Sequence, residues 1–573
     1  MTPEKRWHLS IVVLALFLVV AGPARAQAPE LTERLPADTL AYVYWRGAQS
    51  ISPSSQNALV ALWQDPGFAP ARQAMEEGFS GALKGIPRSP RLSAADVQAL
   101  LAHPMIIGLR LPEPGSATGG GAKTPARLAG RIRSFGVFQT TSEEAGRLRA
   151  MLVAASPQAA AHIRITSAGF LVSSTDPSTI EELARRFGAS PPPETDSLTA
   201  LPAYHEARAE LAGRPTIEFF LQIPPVSSLP LPVSANFNGK AFFNALHVDR
   251  VHVLCGAIDL NSPTALLRGS ILGDTTPGSV FDFFGASAGD FDTLAAAPAG
   301  SSVTAFRIDL GALVSLLSKA ATEAMGPDQA GRVQMVYGMF STMVLPSLAG
   351  EYATIRPPAA GPQAQRNMLF VTTIHSQAAG QLFSTTLAPY LHPAGEEGEI
   401  RYFQTGPKPS AGASPGKTDG EAGPGTGAAG RQGGGISIGP SSAAFVALTP
   451  HLLLASTDEA LVRSSAHAVA AASPSPGGLA ADLGFRAARA ELPAQLSTLT
   501  YVDFARIPWT SLFQHVTATS AKEKKSPQTN QAMTDFESWA KSDAATVLAR
   551  HLHWLVTGSW KDPSGVHWRG DIH

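Results

Sequence analysis

The sequence predicts an α+β protein made of two tandem homologous units, with largely antiparallel sheets and helices packed on one face. Three observations predict this fold. Blocks of sequence recur in the same order along the chain, each unit ends in two strand-like runs separated by a polar turn, and other strand-like runs alternate with helical segments. Hairpins combined with single strands and intervening helices are typical of α+β architectures, whereas a doubly wound sheet requires regular strand–helix alternation.

Length and composition exclude several classes of protein. The chain has 573 residues, more than the roughly 100–200 residues of an ordinary domain. With 44% hydrophobic and 16% charged residues, it differs from a highly charged disordered chain. A net charge of −1 lacks the basic excess of a nucleic-acid-binding protein. The single cysteine excludes a disulfide framework and a thiolate-cluster metal site.

Residues 1–26 have the pattern of a secretory signal peptide. Lys5 and Arg6 precede an apolar stretch at 11–22, and Ala24-Arg25-Ala26 matches the small-residue rule for cleavage. The apolar stretch spans about 18 Å as a helix, short of the roughly 30 Å of a hydrocarbon core, so cleavage near Ala26 is favoured over a retained anchor. We therefore expect a periplasmic or secreted protein with no membrane span after cleavage. Removing three basic residues and one acidic residue changes the net charge only to −3.

Internal repetition sets the domain boundaries. Residues 35–272 form the first predicted unit, residues 297–573 form the second, and 273–296 connect them. The matched blocks follow in the same order and their offset changes slowly, which is difficult to obtain by chance. The matched blocks are 35–47 with 297–311, 135–152 with 369–387, 170–183 with 452–465, and 251–271 with 552–572.

Each predicted unit carries an insert after its second strand block, at 112–125 in the first unit and at 357–363 in the second. The second unit has a further insert at 405–440, which consists mainly of Gly, Pro, Ala and Ser. Such a composition buries too little apolar surface to offset the entropy of ordering. We predict that 405–440 is a disordered loop within the second unit.

Local patterns predict the individual elements. Alternating residues predict a strand at 39–46. Residues 54–85 predict two helices divided at Asp65-Pro66, because proline suits a first helical turn. Polar turns at 259–263 and 561–565 separate pairs of strand-like runs and predict an antiparallel hairpin at the end of each unit.

A recurring Ser-Thr-Asp sequence is interpreted as a helix cap rather than as a catalytic group. Asp176 suits an N-cap position, and Pro177 suits the first helical residue. Asp458 is expected to cap the equivalent helix of the second unit.

Two Gly-x-Ser-x-Gly sequences, centred on Ser287 and Ser437, introduce the possibility of a serine hydrolase. That chemistry needs the serine on a strained strand-to-helix turn, with an acid and a histidine later in the chain. A chain rich in glycine and serine produces such matches by chance, neither serine recurs in the other unit, and Ser437 lies in the Gly/Pro-rich insert. We therefore predict no catalytic residue, and Ser287 is the candidate nucleophile if the protein is a hydrolase.

Three histidines near the C-terminus are candidates for a metal site. His551 and His553 lie on a predicted strand with their side chains on one face, and His567 on the partner strand is expected to reach them. Three histidines form a zinc-like ligand set. In the first unit, however, Arg250 stands at the position of His551, and Leu267 or its neighbour stands at the position of His567. Solvated or hydrogen-bonded histidines are therefore the favoured interpretation, and we predict no metal and no cofactor.

Eight aromatic residues cluster near predicted strands and the helices that follow them. Core packing is the favoured interpretation, and a carbohydrate- or lipid-binding groove is the alternative. The lone Cys255 lies in an apolar run and is predicted to be a buried, inert thiol. The aromatic residues are Tyr42, Tyr44, Trp45, Trp63, Trp509, Trp554, Trp560 and Trp568.

The opening strand LPADTLAYVYWRG (35–47) and the later Ser174-Thr175-Asp176-Pro177 cap resemble a bacterial family of exported proteins known only as a domain of unknown function. The resemblance covers most of the chain that follows the signal peptide. The second unit departs from the pattern, with Gly300-Ser301 in place of Asp-Thr and Glu459 in place of proline. The resemblance implies export but no activity, and no catalytic residues are carried over from it.

Duplication without a recurring polar constellation beyond helix caps favours a non-enzymatic binding or scaffold protein of the periplasm or cell envelope. Envelope proteins and an apolar ligand are the partner classes considered, and the charge argues against nucleic acid. One alternative is a carrier that holds an apolar or lipid-like ligand between the units. The other is a serine hydrolase or a metal-dependent enzyme that uses Ser287 or the three histidines.

Overall fold

The computed structural model describes residues 30–573 with several gaps. The predicted signal peptide, the insert at 112–125, the insert at 405–440 beyond its first residue, and Ser437 lie outside the described residues. The gaps are 53–54, 76–100, 111–132, 189–195, 359–366, 406–443, 472–476, 510–526 and the single positions 156, 175, 212, 230, 232, 235 and 508.

One continuous sheet of 18 strands forms the framework of the described chain. The α+β class with antiparallel pairing is therefore confirmed. The strands are β1 (Thr39–Trp45), β2 (Met105–Arg110), β3 (Arg133–Gln139), β4 (Ile163–Ile165), β5 (Phe170–Ser174), β6 (Ile217–Gln222), β7 (Val251–Asp259), β8 (Ala265–Gly273), β9 (Ser302–Arg307), β10 (Leu348–Arg356), β11 (Leu369–Ile374), β12 (Leu391–Glu397), β13 (Ile400–Thr405), β14 (Phe445–Leu448), β15 (Leu452–Ser456), β16 (Thr498–Asp503), β17 (Trp554–Asp562) and β18 (Gly565–Ile572).

The pairing of the strands is antiparallel throughout. Across the sheet the order is β4-β5-β3-β2-β1-β6-β7-β8-β18-β17-β16-β9-β10-β11-β15-β14-β13-β12. We call β1–β8 the N-terminal half and β9–β18 the C-terminal half. The halves join where β8 pairs with β18. Sequence analysis predicted sheets in each unit and did not predict this junction.

Helices connect many of the strands, and two begin at the predicted caps. The Asp176 carboxylate accepts a hydrogen bond from Thr179 N at 2.8 Å, and the Asp458 carboxylate accepts one from Leu461 N at 3.1 Å. The helices are α1 (Ala58–Gln64), α2 (Ser142–Ala155), α3 (Pro177–Gly188), α4 (Pro202–Leu211), α5 (Gly239–Ala245), α6 (Leu310–Ala324), α7 (Pro327–Met343), α8 (Ser376–Gln381), α9 (Glu459–Ala470), α10 (Leu483–Ala490), α11 (Pro527–Ser542) and α12 (Ala544–His551).

Side chains alternate between the two faces of the sheet. The first face carries Tyr42, Phe220 and Cys255, and the second carries their strand neighbours Val43 and Phe219. In the N-terminal half α3 and α4 cover the first face, and in the C-terminal half α9 and α10 cover it. Each large apolar side chain that these helices bury contributes about 1.5–3 kcal/mol to stability.

Helices also cover both ends of the second face. At one end α1, α11 and α12 pack over Trp45 and Ile217. At the other end α5 packs against α6, next to a cluster around Val566. The prediction that helices pack on one face is therefore wrong, because the strand ends carry large apolar residues on the second face as well. In both places a helix of one half packs against a helix of the other.

Two predicted details are confirmed near the junction. The runs at the end of each unit form the hairpins β7–β8 and β17–β18. Cys255 is fully buried in β7, and burial raises the pKa of its thiol to about 12. Within the described ranges, no helix has the length and apolar character needed to cross a bilayer.

Candidate functional site

Charged side chains gather on the first face where β8 pairs with β18. The register places Arg268 directly opposite Arg569, and like charges at such positions are destabilising unless other groups offset them. Burial and the positive charge of Arg569 lower the pKa of Arg268, while Arg569 donates to Asp571 at 3.2 Å. The set that we call the junction cluster consists of Glu210, Arg268, Ser270, Asp562, His567, Arg569 and Asp571.

His567 lies at the centre of the junction cluster and is only 4% exposed. Its Nδ1 lies 3.1 Å from Glu210 Oε2 and 2.8 Å from Ser270 Oγ, both in the N-terminal half. Its Nε2 lies 3.0 Å from Asp562 Oδ1. Burial acts to raise the pKa of Asp562, but hydrogen bonds from Ser564 and His567 outweigh it and lower that pKa. The imidazole therefore joins the two halves.

Ser270, His567 and Asp562 stand in the order of a hydrolytic triad, but their surroundings do not suit one. Ser270 is 2% exposed, and its strand β8 is paired on both sides. A nucleophilic serine needs room for a substrate carbonyl and amide donors for the oxyanion, whereas the neighbouring backbone amides belong to the sheet ladder. This arrangement connects the halves through hydrogen bonds and ion pairs.

The structure does not bring the three C-terminal histidines together. His551 is the last residue of α12, so the prediction that it lies on a strand is wrong; the strand starts only at Trp554. His567 lies opposite Trp560, seven residues beyond His553, or about 23 Å at roughly 3.3 Å per residue. In the part of the chain that the structure describes, no group of three or more His, Cys, Asp or Glu side chains is arranged to hold a metal ion.

His551 instead belongs to a second contact between the halves. Its Nε2 lies 2.6 Å from Asp65 Oδ2, and Arg550 Nη1 lies 2.7 Å from the same oxygen. Hydrogen bonds from His551 and from the backbone of Gly67 lower the pKa of Asp65. Asp65 also ends α1, as the predicted division of 54–85 required.

Ser287 lies in the segment that connects the halves. Its Oγ accepts a hydrogen bond from Lys561 N at 2.9 Å and lies 3.0 Å from Ser497 Oγ. These contacts attach the connecting segment to the C-terminal half, and neither partner is an acid or a histidine. The geometry around Ser287 is that of a structural hydroxyl.

The middle of the second face carries uncharged residues, with Arg356 and Lys561 at its margins, in contrast to the junction cluster behind it. Two rows of paired residues cross the strands there, between the helices that cover the two ends of this face. We call these rows the neutral strip. The first row is Phe219, Gly256, Gly269, Trp568, Ser559, Thr498, Phe306 and Tyr352, and the second is Thr557, Thr500, Thr304, Thr354 and Phe370.

Two aromatic rings lie close against the backbone of the sheet at the junction. The ring of Phe219 covers Gly256 and that of Trp568 covers Gly269, so closely that a Cβ atom on either glycine would collide with the ring. The two rings are nearly parallel, with an interplanar angle of 17° and centroids 6.5 Å apart. Glycine in a strand often marks such a close approach. One ring comes from each half, and both are partly exposed.

Threonines occupy four adjacent strands next to this aromatic pair. Thr557, Thr500, Thr304 and Thr354 are direct cross-strand neighbours, so their hydroxyls repeat at the strand spacing of about 4.8 Å. Thr500 Oγ1 lies 3.4 Å from Thr304 Oγ1. The hydroxyls form a regular, partly exposed line on the second face.

Further aromatic rings flank the threonines. Phe306 and Tyr352 stack with centroids 5.5 Å apart. Phe370, which pairs with Thr354, is 54% exposed. Sequence analysis singled out Trp568 but missed the other members, because only the strand register shows that they are neighbours. The sequence feature that could have indicated this site is the glycine within each strand of the β7–β8 hairpin.

Comparison of the chain with protein-family models, with curated proteins and with solved structures gives no match. The resemblance to an exported family therefore stays a prediction.

Proposed function

We propose that this protein is an exported, non-enzymatic binding or scaffold protein of the periplasm or cell envelope, made of two homologous units. The observation that carries the proposal is the neutral strip. Most of its aromatic rings and threonines are partly exposed in the middle of the second face, whereas His567 and His551 are engaged by carboxylates that join the two halves. A surface with this composition suits binding rather than acid–base chemistry.

The strand order supports two homologous units. In the N-terminal half the order is β4-β5-β3-β2-β1-β6-β7-β8, and in the C-terminal half it is β14-β15-β11-β10-β9-β16-β17-β18. These two orders correspond strand by strand. The hairpin β12–β13 is an addition in the C-terminal half, outside the matched blocks.

The register at the junction supports the same proposal. The repeat aligns 251–271 with 552–572 at an offset of about 300 residues, so that Arg268 corresponds to Arg569. These two residues are also direct partners between β8 and β18. A residue that pairs with its own equivalent lies on a local two-fold axis, which is the geometry of an isologous contact between two copies.

The helices at the ends of the second face fit this two-fold relation. The segment between β6 and β7 supplies α5, which packs against α6 from the segment between β9 and β10. In the equivalent place, α12 from the segment between β16 and β17 lies near α1 from the segment between β1 and β2. Each unit thus exchanges a helical segment with the other.

The alternatives receive less support from the geometry. A carrier of an apolar ligand needs a cavity, and pockets for small molecules measure about 300–1,000 Å³. Within the described residues, the depression beside Tyr402 and Val462 measures about 170 Å³ even when space open to solvent is included. An enzyme would need a reactive group with access to substrate. Ser270, the serine of the triad-like set, is buried between paired strands.

Retention of envelope material by the purified chain tests the proposal. We expect the unaltered chain to retain an envelope component without altering it chemically. A Thr342→Lys control variant, changed at an exposed position of α7, should retain the same component. A Thr500→Lys variant should lose most of that retention, because it places a charge on the neutral strip. Equal retention by all three chains, or chemical turnover of the component, would contradict the proposal.

A further inference from the structure

Building on the proposed binding function, we propose that the neutral strip is a binding site for a neutral glycan chain. Sugar rings offer apolar C–H faces and a periphery of hydroxyls, and both need matching surfaces on a protein. The strip supplies flat aromatic rings at Phe219 and Trp568 and a line of threonine hydroxyls beside them.

The sequence of the sheet strands permits the close approach of the aromatic pair to the backbone. Gly256 and Gly269 are direct cross-strand partners, and their missing side chains let the rings of Phe219 and Trp568 lie against the backbone. Rings held in this way lose little conformational freedom on binding, which favours affinity.

The dimensions of the strip suit an extended polymer. Its first row crosses eight adjacent strands from β6 to β10, which spans about 34 Å at a strand spacing of roughly 4.8 Å. That spacing is comparable with the length of one sugar unit in an extended chain. The helices at one end of the strands and the segment 280–284 at the other confine a ligand to the direction across the sheet.

The residue types of both rows favour a neutral sugar polymer over charged polymers and over lipid chains. A nucleic acid or an anionic polysaccharide would bring charges for which the strip has no counterpart, and affinity for a polyanion depends on such contacts. A lipid chain would cover the hydroxyls of Thr304 and Thr500 without hydrogen-bonding them, and burying an unpaired hydroxyl is unfavourable. A chain of neutral sugars matches both the rings and the hydroxyls.

Calorimetric titration of the purified chain tests the proposal. The probes are hexasaccharides of β-1,4-linked glucose, α-1,4-linked glucose and β-1,4-linked N-acetylglucosamine, together with phosphatidylcholine vesicles. We expect at least one hexasaccharide to bind and the vesicles not to bind. The double variant Thr304→Val/Thr500→Val should weaken glycan binding about thirtyfold, because it removes two hydrogen bonds to the ligand.

Matched variants separate binding from folding. Trp568→Leu should also weaken binding, whereas Tyr390→Leu and Thr342→Val change exposed residues outside the strip and should bind as the unaltered chain does. Thermal unfolding of each variant shows whether it is folded. Glycan binding that does not respond to the strip variants, or no glycan binding at all, overturns the proposal.

The outcomes also distinguish this proposal from the broader one. If the vesicles bind and Trp568→Leu abolishes that binding, the ligand is not a glycan, but the neutral strip is still the binding surface. If no probe binds and the Thr500→Lys chain still retains envelope material normally, both proposals fail.

Discussion

The two faces of the sheet at the junction of the halves carry opposite kinds of side chain. On the first face His567 lies between two carboxylates and is almost completely buried. On the second face, one residue away along the same strand, the partly exposed Trp568 lies close against Gly269. Strand alternation places these neighbours on opposite sides of the sheet. The charged face joins the two halves of the molecule, and the neutral face is the one that we propose binds other molecules.

The largest expected difference between the faces is in core packing. Phe220 on the first face is 1% exposed and packs against Tyr42 and Tyr204, so Phe220→Ala should lower the free energy of unfolding by about 3–5 kcal/mol. Phe370→Ala on the second face should change it by less than about 0.5 kcal/mol. Chemical denaturation of both variants measures the two effects. Similar losses would mean that the second face is also a packed core.

The junction cluster should show a smaller but clear effect. His567→Leu leaves Glu210 and Asp562 without their shared partner, and should cost about 1–3 kcal/mol of unfolding free energy. His553→Leu is the matched control, because His553 is exposed at the start of the same hairpin. If both variants unfold at the same denaturant concentration, His567 does not join the halves as described.

The helix caps of the first face should contribute about 1 kcal/mol each. Asp176→Ala and Asp458→Ala remove equivalent caps from α3 and α9. Burial acts to raise the pKa of Asp176, but hydrogen bonds from Ser178 and Thr179 lower it to about 2 from an ordinary 3.8. A lowered folded-state pKa stabilises the fold above the unfolded pKa, and this contribution disappears as the pH falls from about 4 to about 2.

Unfolding measured across that pH range checks the cap of Asp176. The difference in stability between the unaltered chain and Asp176→Ala should be present at neutral pH and should vanish near pH 2. A difference that stays constant down to pH 2 would show that the carboxylate does not cap α3.

The smallest effect on stability is expected in the last experiment, which measures thiol reactivity. Thiol labelling reports whether a reagent can reach the side chain. Cys255 on the first face should not react with a thiol reagent in the folded chain, because it is buried and its pKa is raised to about 12. In a Thr304→Cys variant one thiol on the neutral strip should react, since Thr304 is exposed. Labelling of Cys255 in the native chain, or protection of the new thiol, would contradict the assignment of the two faces.

Local features of the fold were predictable from the sequence. The caps at Asp176 and Asp458, the division at Asp65 and the two terminal hairpins follow from residues within a few positions of each other. Such patterns depend on backbone geometry and near neighbours only, which a single sequence records directly.

The junction and the candidate site were not predictable in the same way. Arg268 faces Arg569, and Gly269 lies under Trp568, because β8 and β18 pair across about 300 residues of chain. No local pattern specifies which strand edge meets which. The end of α12 at His551 was also missed, since the alternation around His553 extended the predicted strand into the helix.

Hydrogen exchange of the purified chain with and without the tightest-binding hexasaccharide tests the central claim most directly. The ligand should slow amide exchange in β9, β16, β17 and β18, where the neutral strip lies, and leave α3, α4, α9 and α10 on the first face unchanged. Protection confined to those first-face helices, or absent from the four strands, would contradict the division of the sheet into a structural face and a binding face.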